Sequence, residues 1–453
     1  MTDADLDETR VVTVFLRHDA DVLLLRRSAA VGSYAGKWGA VAGHAEGDPA
    51  GAARTEIREE TGFDPATDTT LVRRGDPFDV VDADRGTRWV VHPFLFDCER
   101  RAVEPNYETS AFEWVAPTEI LRRETVPDLW KSYDRVRPCP ESVRDDREHG
   151  SAWLSVRALE VLRDEAALAV ERGGSWTALE ETARELVGAR PAMSVVVTRV
   201  DRAMAAASEG GGDASDERSA AGTPAALEAT ATEGIERALT VDAAAAETAA
   251  AVLPSRVATL SRSGTVAAAL ERAELETVLV AESRPGREGA GTAERLAAAT
   301  DARVTLTTDA ALADRLAAEG VAALVVGADA VLPDGCVVNK VGTRGAALAA
   351  AREGIDCYAV AASDKIAATG GRGDGTGDTD SSDTHSGHAG FDPEERDPAE
   401  VYDGDADIAV ANPTFDATPA DCVTAVVTER GRLDAEGVRA VAADHRDLAA
   451  WRR

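Results

Sequence analysis

The feature that most restricts this chain is a change of period after Pro254. Short apolar runs at 257–260, 277–281, 303–307, 322–326, 356–360 and 408–411 read as strands, most of them separated by Ala-rich stretches of helical period. Parallel strands need a long crossover between them and a helix supplies it, so this alternation predicts a doubly wound α/β sheet over 254–453.

Before Pro254 the pattern differs twice. Runs at 11–16, 22–25 and 89–96 read as strands, and 49–61 reads as a helix with Ala53 and Ile57 on one face and Gly62 as its stop. Short strands around one acidic helix predict an α+β module over 1–137. Pro138, Pro140 and the charged run 144–150 predict a linker at 138–150, because prolines and dense charge build no core. Over 151–253 the residues Leu154, Ala158, Leu162 and then Leu179, Ala183, Leu186 recur at helical spacing, so this region is expected to be helical. Two Gly/Ser/Asp-rich stretches, 208–223 and 370–390, are expected as loop insertions, and the second makes His385 and His388 a solvated pair rather than a metal site.

Composition narrows the function. At 453 residues the chain has room for two or three domains. Its 81 acidic residues against 49 basic ones give a net charge of −32, and only Lys37, Lys131, Lys340 and Lys365 are lysine. Such a surface reads as halophilic adaptation and opposes broad capture of nucleic acid, an arginine cleft being the one local exception. No apolar run is long enough to span a membrane, and the acidic start MTDADLDETR is unlike a signal peptide. Cys98, Cys139, Cys336, Cys357 and Cys422 are scattered without a C-x-x-C pair, which argues against a disulfide framework or a zinc site and fits the cytoplasm. Cys336 and Cys357 read as buried small apolar groups.

Within GHAEGDPAGAARTEIREETGF, Glu56, Glu59 and Glu60 fall at i, i+3 and i+4 and share a helix face. Either they form a solvated acidic face partly neutralised by Arg54 and Arg58, or an oxygen-loving divalent cation relieves their repulsion and in turn makes a bound pyrophosphate electrophilic. The run resembles the box of the Nudix hydrolase family, G-x5-E-x7-R-E-U-x-E-E-x-G-U, through Glu56, Ile57, Glu59, Glu60, Gly62 and Phe63. Lys37, Trp38 and Gly39 before it, and Glu113 to Pro117 after it, extend the resemblance over about 10–136. The resemblance implies Mg²⁺ (or Mn²⁺) held by Glu56, Glu59 and Glu60, catalysis by Glu59 and Glu60, and a nucleoside-diphosphate-linked substrate; Glu108, just before the late strand, reads either as a further catalytic group, an additional ligand or general base, or as an exposed loop carboxylate. Thr55 stands where the box has arginine, and Gly43, Glu46 and Asp48 match its first half only with gaps. Arg54, one position earlier, points about 100° away around the helix.

In the last half, polar residues follow the predicted strands: Ser261, Ser263 and Gly264; Arg284; Asp329; and Lys365. Ligands of open α/β sheets bind at those carboxyl ends, and Ser263 and Gly264 at a helix start suit phosphate. Glu282–Pro285, Val326–Asp329, NKVGT with Asn339 and Lys340, and NPTFDATP from Asn412 resemble the family of the alpha, beta and delta subunits of translation initiation factor 2B, ribose-1,5-bisphosphate isomerase and methylthioribose-1-phosphate isomerase. The helical segment with Arg190, Pro191 and Met193 extends this resemblance over about 150–445, and it implies a Rossmann-like domain that assembles as a homo-oligomer. It also implies a pocket for a sugar phosphate or nucleotide formed by Ser263, Gly264, Arg284, Asp329, Asn339, Lys340 and Lys365. Isomerases of the family use a cysteine and an aspartate; here Asp329 fills the second place and Ser261 stands in the first. A serine hydroxyl is a poor acid or base, which favours ligand binding over isomerisation, with the isomerase and a translation-associated regulator as alternatives.

Overall fold

The computed structural model describes residues 7–45, 47–191, 193–209, 222–369 and 393–453. Glu46, His385 and His388, together with nearly all of the two expected loop insertions, lie outside the described residues. The chain divides into two compact units, Met1–Ser142 with Glu160–Leu179, and Val143–Leu159 with Glu180–Arg453.

The first unit is built on an eight-stranded mixed sheet. Its strands are β1 (Asp7–His18), β2 (Asp21–Arg27), β3 (Trp38–Gly39), β4 (Val41–His44), β5 (Thr69–Arg74), β6 (Phe78–Asp82), β7 (Thr87–Cys98) and β8 (Thr109–Val115). The central pair β1 and β7 runs parallel, and the other pairings are antiparallel. Alternation along β1 sends Val12, Val14 and Leu16 to one face, where they meet Ala53 and Ile57 of α1 (Pro49–Thr61). Phe15 goes to the other face, against Leu129, Trp130 and Tyr133 of α2 (Leu129–Asp134). Within the expected linker, α3 (Pro140–Asp145) is helical and Val143 is fully buried. Pro140 opens this helix, since proline is tolerated in a helix's first turn.

Residues from Glu160 onward in α4 (Ser151–Arg172) belong to this first unit. Arg17, 1% exposed, reaches Asp97 at 2.6 Å and Glu160 at 3.3 Å, and Arg163 donates to the carbonyl of Ala20 at 3.1 Å. Charges buried this deeply are tolerated only when paired.

The second unit combines helices with a parallel sheet. The first part of α4, most of α5 (Trp176–Ala189), α6 (Ser194–Glu209) and α7 (Pro224–Ala250) realise the helical periodicity. Next come β9 (Arg256–Leu260), α8 (Gly264–Arg272), β10 (Thr277–Ala281), α9 (Glu288–Ala299), β11 (Arg303–Thr307), α10 (Leu312–Ala318) and β12 (Ala323–Val326). The chain continues through β13 (Ala330–Val331), β14 (Val337–Lys340), α11 (Thr343–Glu353), β15 (Asp356–Val360), β16 (Phe415–Thr418), β17 (Ala425–Thr428), β18 (Gly431–Leu433) and α12 (Ala435–Leu448). The sheet order is β11-β10-β9-β12-β15-β17-β18, parallel except for the last pair. Both faces are covered: Val257, Val278 and Val325 pack with Ala246, Val266, Leu270 and Leu296, while Leu279, Val326 and Val426 pack with Leu316, Ala347 and Val441.

One predicted strand is corrected. Residues 408–411 form no strand, and Ile408 is exposed. The place beside β15 is taken by β17, whose four residues are all buried. The apolar run at 408–411 is short and follows an acidic stretch, so it has no burial to gain that β17 does not already supply.

Candidate functional site

In the first unit the acidic helix is set at both ends. Asp48 caps α1 by accepting from Ala50 N at 3.1 Å, and Gly62, with φ +72, closes it through its N–H to Arg58 O. Glu60 is buried beneath the helix, its Oε1 accepting from Ala42 N at 3.2 Å. Burial pushes the Glu60 carboxyl up to about 8; the neighbouring Glu56 and Glu108 add to the rise, while the Ala42 N–H and Arg27 oppose it. Burial likewise raises the Glu56 carboxyl, with Glu59 and Glu108 contributing. Glu56 thus lies in the field of Glu59 and Glu108, and Glu60 in the field of Glu56 and Glu108.

Glu108 immediately precedes β8, in a turn fixed by Ser28 N donating to its carbonyl at 2.6 Å and by its own N–H donating to Asn106 Oδ1 at 2.9 Å. Gly43 supports the arrangement from below, since a Cβ there would come within 1.7 Å of Glu56 Oε1. Thr55 is exposed and donates back to Gly51 O, and the Arg54 guanidinium turns to Ala50 O. The cation that offsets Glu60 is Arg27 at the end of β2, a residue missed in the sequence because it lies outside the acidic motif.

Among the described residues, no three His, Cys, Asp or Glu side chains are gathered as a ready-made metal cage. Carboxylates drawn from Glu56, Glu59 and Glu60 nonetheless suit magnesium chemistry, because that ion needs only one or two of them at a time and completes its shell with waters and substrate phosphates.

In the second unit a cavity of ≈ 920 Å³ opens at the carboxyl ends of β9 and β12, between which the strand order reverses. Ser261, Ser263, Gly264, Asp329, Asn339, Lys340 and Lys365 all line it. Ser263 caps α8 by accepting from Val266 N at 3.3 Å. Gly327 is required beside it, since a Cβ would come within 2.9 Å of Ser263 Oγ. Lys365 Nζ donates to Ala328 O at 2.5 Å, Asn339 Nδ2 donates to Thr343 Oγ1 at 3.0 Å, and Lys340 Nζ pairs with Glu288 Oε1 at 2.8 Å.

Arg284 does not join them. It is exposed and absent from the lining, because Asp309 takes the backbone N–H groups of both Ser283 and Arg284 and fixes that turn. Glu288, later in the same connection, lines the cavity instead, with Oε2 buried and without a hydrogen-bond partner.

Residues from distant parts of the chain complete the wall. Ser151 Oγ donates to Asp329 Oδ1 at 3.0 Å, and Arg147 and Arg262 donate to main-chain carbonyls at the rim. The lining holds no cysteine; Cys336 and Cys357 are buried elsewhere, their thiols pushed up to about 12 by burial. All five cysteines are free.

Family comparison matches both halves: the Initiation factor 2 subunit family at residues 147–435 and the NUDIX domain at 7–136. The chain thus belongs to the Initiation factor 2 subunit family and carries a NUDIX domain ahead of it. Among curated relatives, ribose 1,5-bisphosphate isomerase of Haloferax volcanii is 38% identical over 178 residues, which cover 38% of this chain and 50% of that protein. Methylthioribose-1-phosphate isomerase of Azotobacter vinelandii is 27% identical over 355 residues, 72% of this chain and 92% of that one. The chain spans about half the length of the first curated relatives it matches. The solved Pyrococcus horikoshii OT3 translation initiation factor eIF-2B aligns at TM-score 0.49 and 23% identity, covering 65% of this chain and 94% of that one. Among the described residues no helix is long and apolar enough to cross a membrane.

Proposed function

We propose that the N-terminal unit is a Mg²⁺- or Mn²⁺-dependent hydrolase of a nucleoside-diphosphate-linked compound. The observation that carries this reading is the acidic face of α1 inside a NUDIX domain, where Glu56 is seated over Gly43 and both Glu56 and Glu60 feel Glu108. Glu56, Glu59 and Glu60 would hold the cation, which when bound supplies charge neutralisation and polarisation of the pyrophosphate. As ligands of that cation, Glu59 and Glu60 would set where that end of the substrate lies. Glu108, fixed in its turn, accepts the proton of the attacking water.

The second domain, Rossmann-like in its reversal of strand order, binds a sugar phosphate or nucleotide. Ser263, Gly264 and the α8 N-terminus receive the phosphate, Asn339, Lys340 and Lys365 flank it, and Glu288 accepts from a ligand hydroxyl. The proposed layout is a hydrolase domain over 1–137, a linker at 138–150, a helical region over 151–253 and the binding domain over 254–453. It completes a cytoplasmic, salt-adapted homo-oligomer. Phosphate or nucleotide release from a panel of nucleoside-diphosphate compounds, with and without Mg²⁺, tests the hydrolase. Activity that needs both the metal and Glu59 supports it, and equal rates for wild type and Glu59→Gln reject it.

A second reading is favoured by one contact. Asp329 is held at the cavity wall by Ser151, as a group that exchanges a proton with a ligand must be held. On that reading the C-terminal domain isomerises an aldose 1-phosphate, ribose 1,5-bisphosphate or methylthioribose 1-phosphate, to the ketose.

A further inference from the structure

The cavity wall also carries a hydrogen-bonded imidazole–carboxylate pair. His149 lines it, and its Nδ1 stands 2.8 Å from Asp146 Oδ2. Asp146 is itself fixed, because Oδ1 accepts the backbone N–H groups of Glu148 and His149 at 2.9 and 2.8 Å. Burial works against the charged form of Asp146, yet these bonds from His149 and Glu148 hold its carboxyl below the ordinary range. The imidazole ring stacks on Trp153 at 3.8 Å between centroids and 12° between planes, and Arg157 lies over that indole at 4.9 Å. A ring pinned by a carboxylate on Nδ1 and by an indole on its face keeps one tautomer and leaves Nε2 for other work. Two residues further on, Ser151 donates to Asp329. His149 and Asp329 are thus tied to one short segment and line one cavity.

We propose that His149, oriented by Asp146, is the acid–base partner of Asp329 in an aldose–ketose isomerisation, acting where Ser261 offers no thiol. The proposal rests on the second reading above. For an aldose 1-phosphate the atoms balance within the substrate. The Asp329 carboxylate takes the proton on carbon 2. The electron pair of that C–H bond forms the double bond between carbons 1 and 2, and the bond from carbon 1 to the ring oxygen breaks with its pair on oxygen. The imidazolium of His149 gives that oxygen its proton. In the second half, neutral His149 takes the proton of the hydroxyl on carbon 2 as that carbon becomes the carbonyl, and Asp329 returns its proton to carbon 1. Carbon 1 is reduced as carbon 2 is oxidised, no outside oxidant enters, and both side chains end as they began. Asp146 and Ser151 are positioning residues, since each acts through its partner.

The test follows conversion of ribose 1,5-bisphosphate and of methylthioribose 1-phosphate by the full-length protein. Wild type is expected to convert at least one of them, His149→Ala to lose about 100-fold in kcat, and added imidazole to restore part of that loss. Asp146→Asn, which keeps the shape but not the charge, should lose kcat with little change in KM. Circular dichroism and melting establish that each variant is folded, and His149→Gln serves as the second variant if alanine disturbs the segment. Wild-type rates in folded His149→Ala, with Asp329→Asn inactive, would overturn the role of His149 and leave the isomerase reading intact. A slow His149→Ala that imidazole does not rescue assigns the ring a structural role and also overturns it. No conversion of either sugar by folded wild type removes the isomerase reading and this inference together.

Discussion

Gly43 shows how a single position can govern the acidic site without carrying any chemistry. The carboxylate of Glu56 lies where a side chain on residue 43 would stand, so Gly43→Ala must push Glu56 off its place. Displacements near 1 Å at a reacting centre cost on the order of 100-fold in rate. Hydrolysis by Gly43→Ala should fall by about that factor while its thermal melting stays close to wild type, and steady-state rates with a nucleoside-diphosphate substrate check this. The sequence made Glu56, Glu59 and Glu60 legible because they are neighbours on one helix. It did not reveal Arg27, Ser151, Glu288 or His149, because their roles come from contacts between parts of the chain that no local spacing encodes. Arg284 illustrates the converse: a cation in a motif at a strand end, turned outward by a carboxylate 25 residues away.

At the level of elements, the signals that worked were those with a direct steric or hydrogen-bonding cause. The limits of α1 follow from Asp48 and Gly62, and five of the expected parallel strands stand in the sheet. The run at 408–411 failed because four small apolar residues meet a strand's composition without its packing. Helix α12 carries a testable consequence of its burial. His445 on this helix is buried, with Nδ1 at 2.8 Å from Ile366 O. Burial depresses its pKa below the ordinary 6.5; Arg202 and Arg430 reinforce this, while the Ile366 carbonyl and Asp364 oppose it. As pH falls through 6.5 the unfolded chain takes up the proton first, so the stability present above 6.5 is lost toward the lower folded value. Denaturant titrations between pH 7.5 and 5 should show a decline of at most about 1.4 kcal/mol per pH unit from this group, and His445→Gln should remove it.

For the whole molecule, charge sets an expected dependence on salt. A net charge of −32 repels itself, and at 1 M salt the screening length shrinks to about 3 Å. The melting temperature should therefore rise steeply from low salt to molar KCl, and a flat profile would remove the halophilic reading.

The division into units has another consequence. The match to the Initiation factor 2 subunit family begins at residue 147, yet the residues from Glu160 to Leu179 are packed into the unit that holds the NUDIX domain. Heredity and folding thus place the seam differently. A recombination that replaced everything before residue 147 with another hydrolase would separate Glu160 from Arg17 and Arg163 from the carbonyl of Ala20, contacts that the new domain would have to supply again. A change in the NUDIX domain must therefore be tolerated by a helix that the family match counts with the rest of the chain.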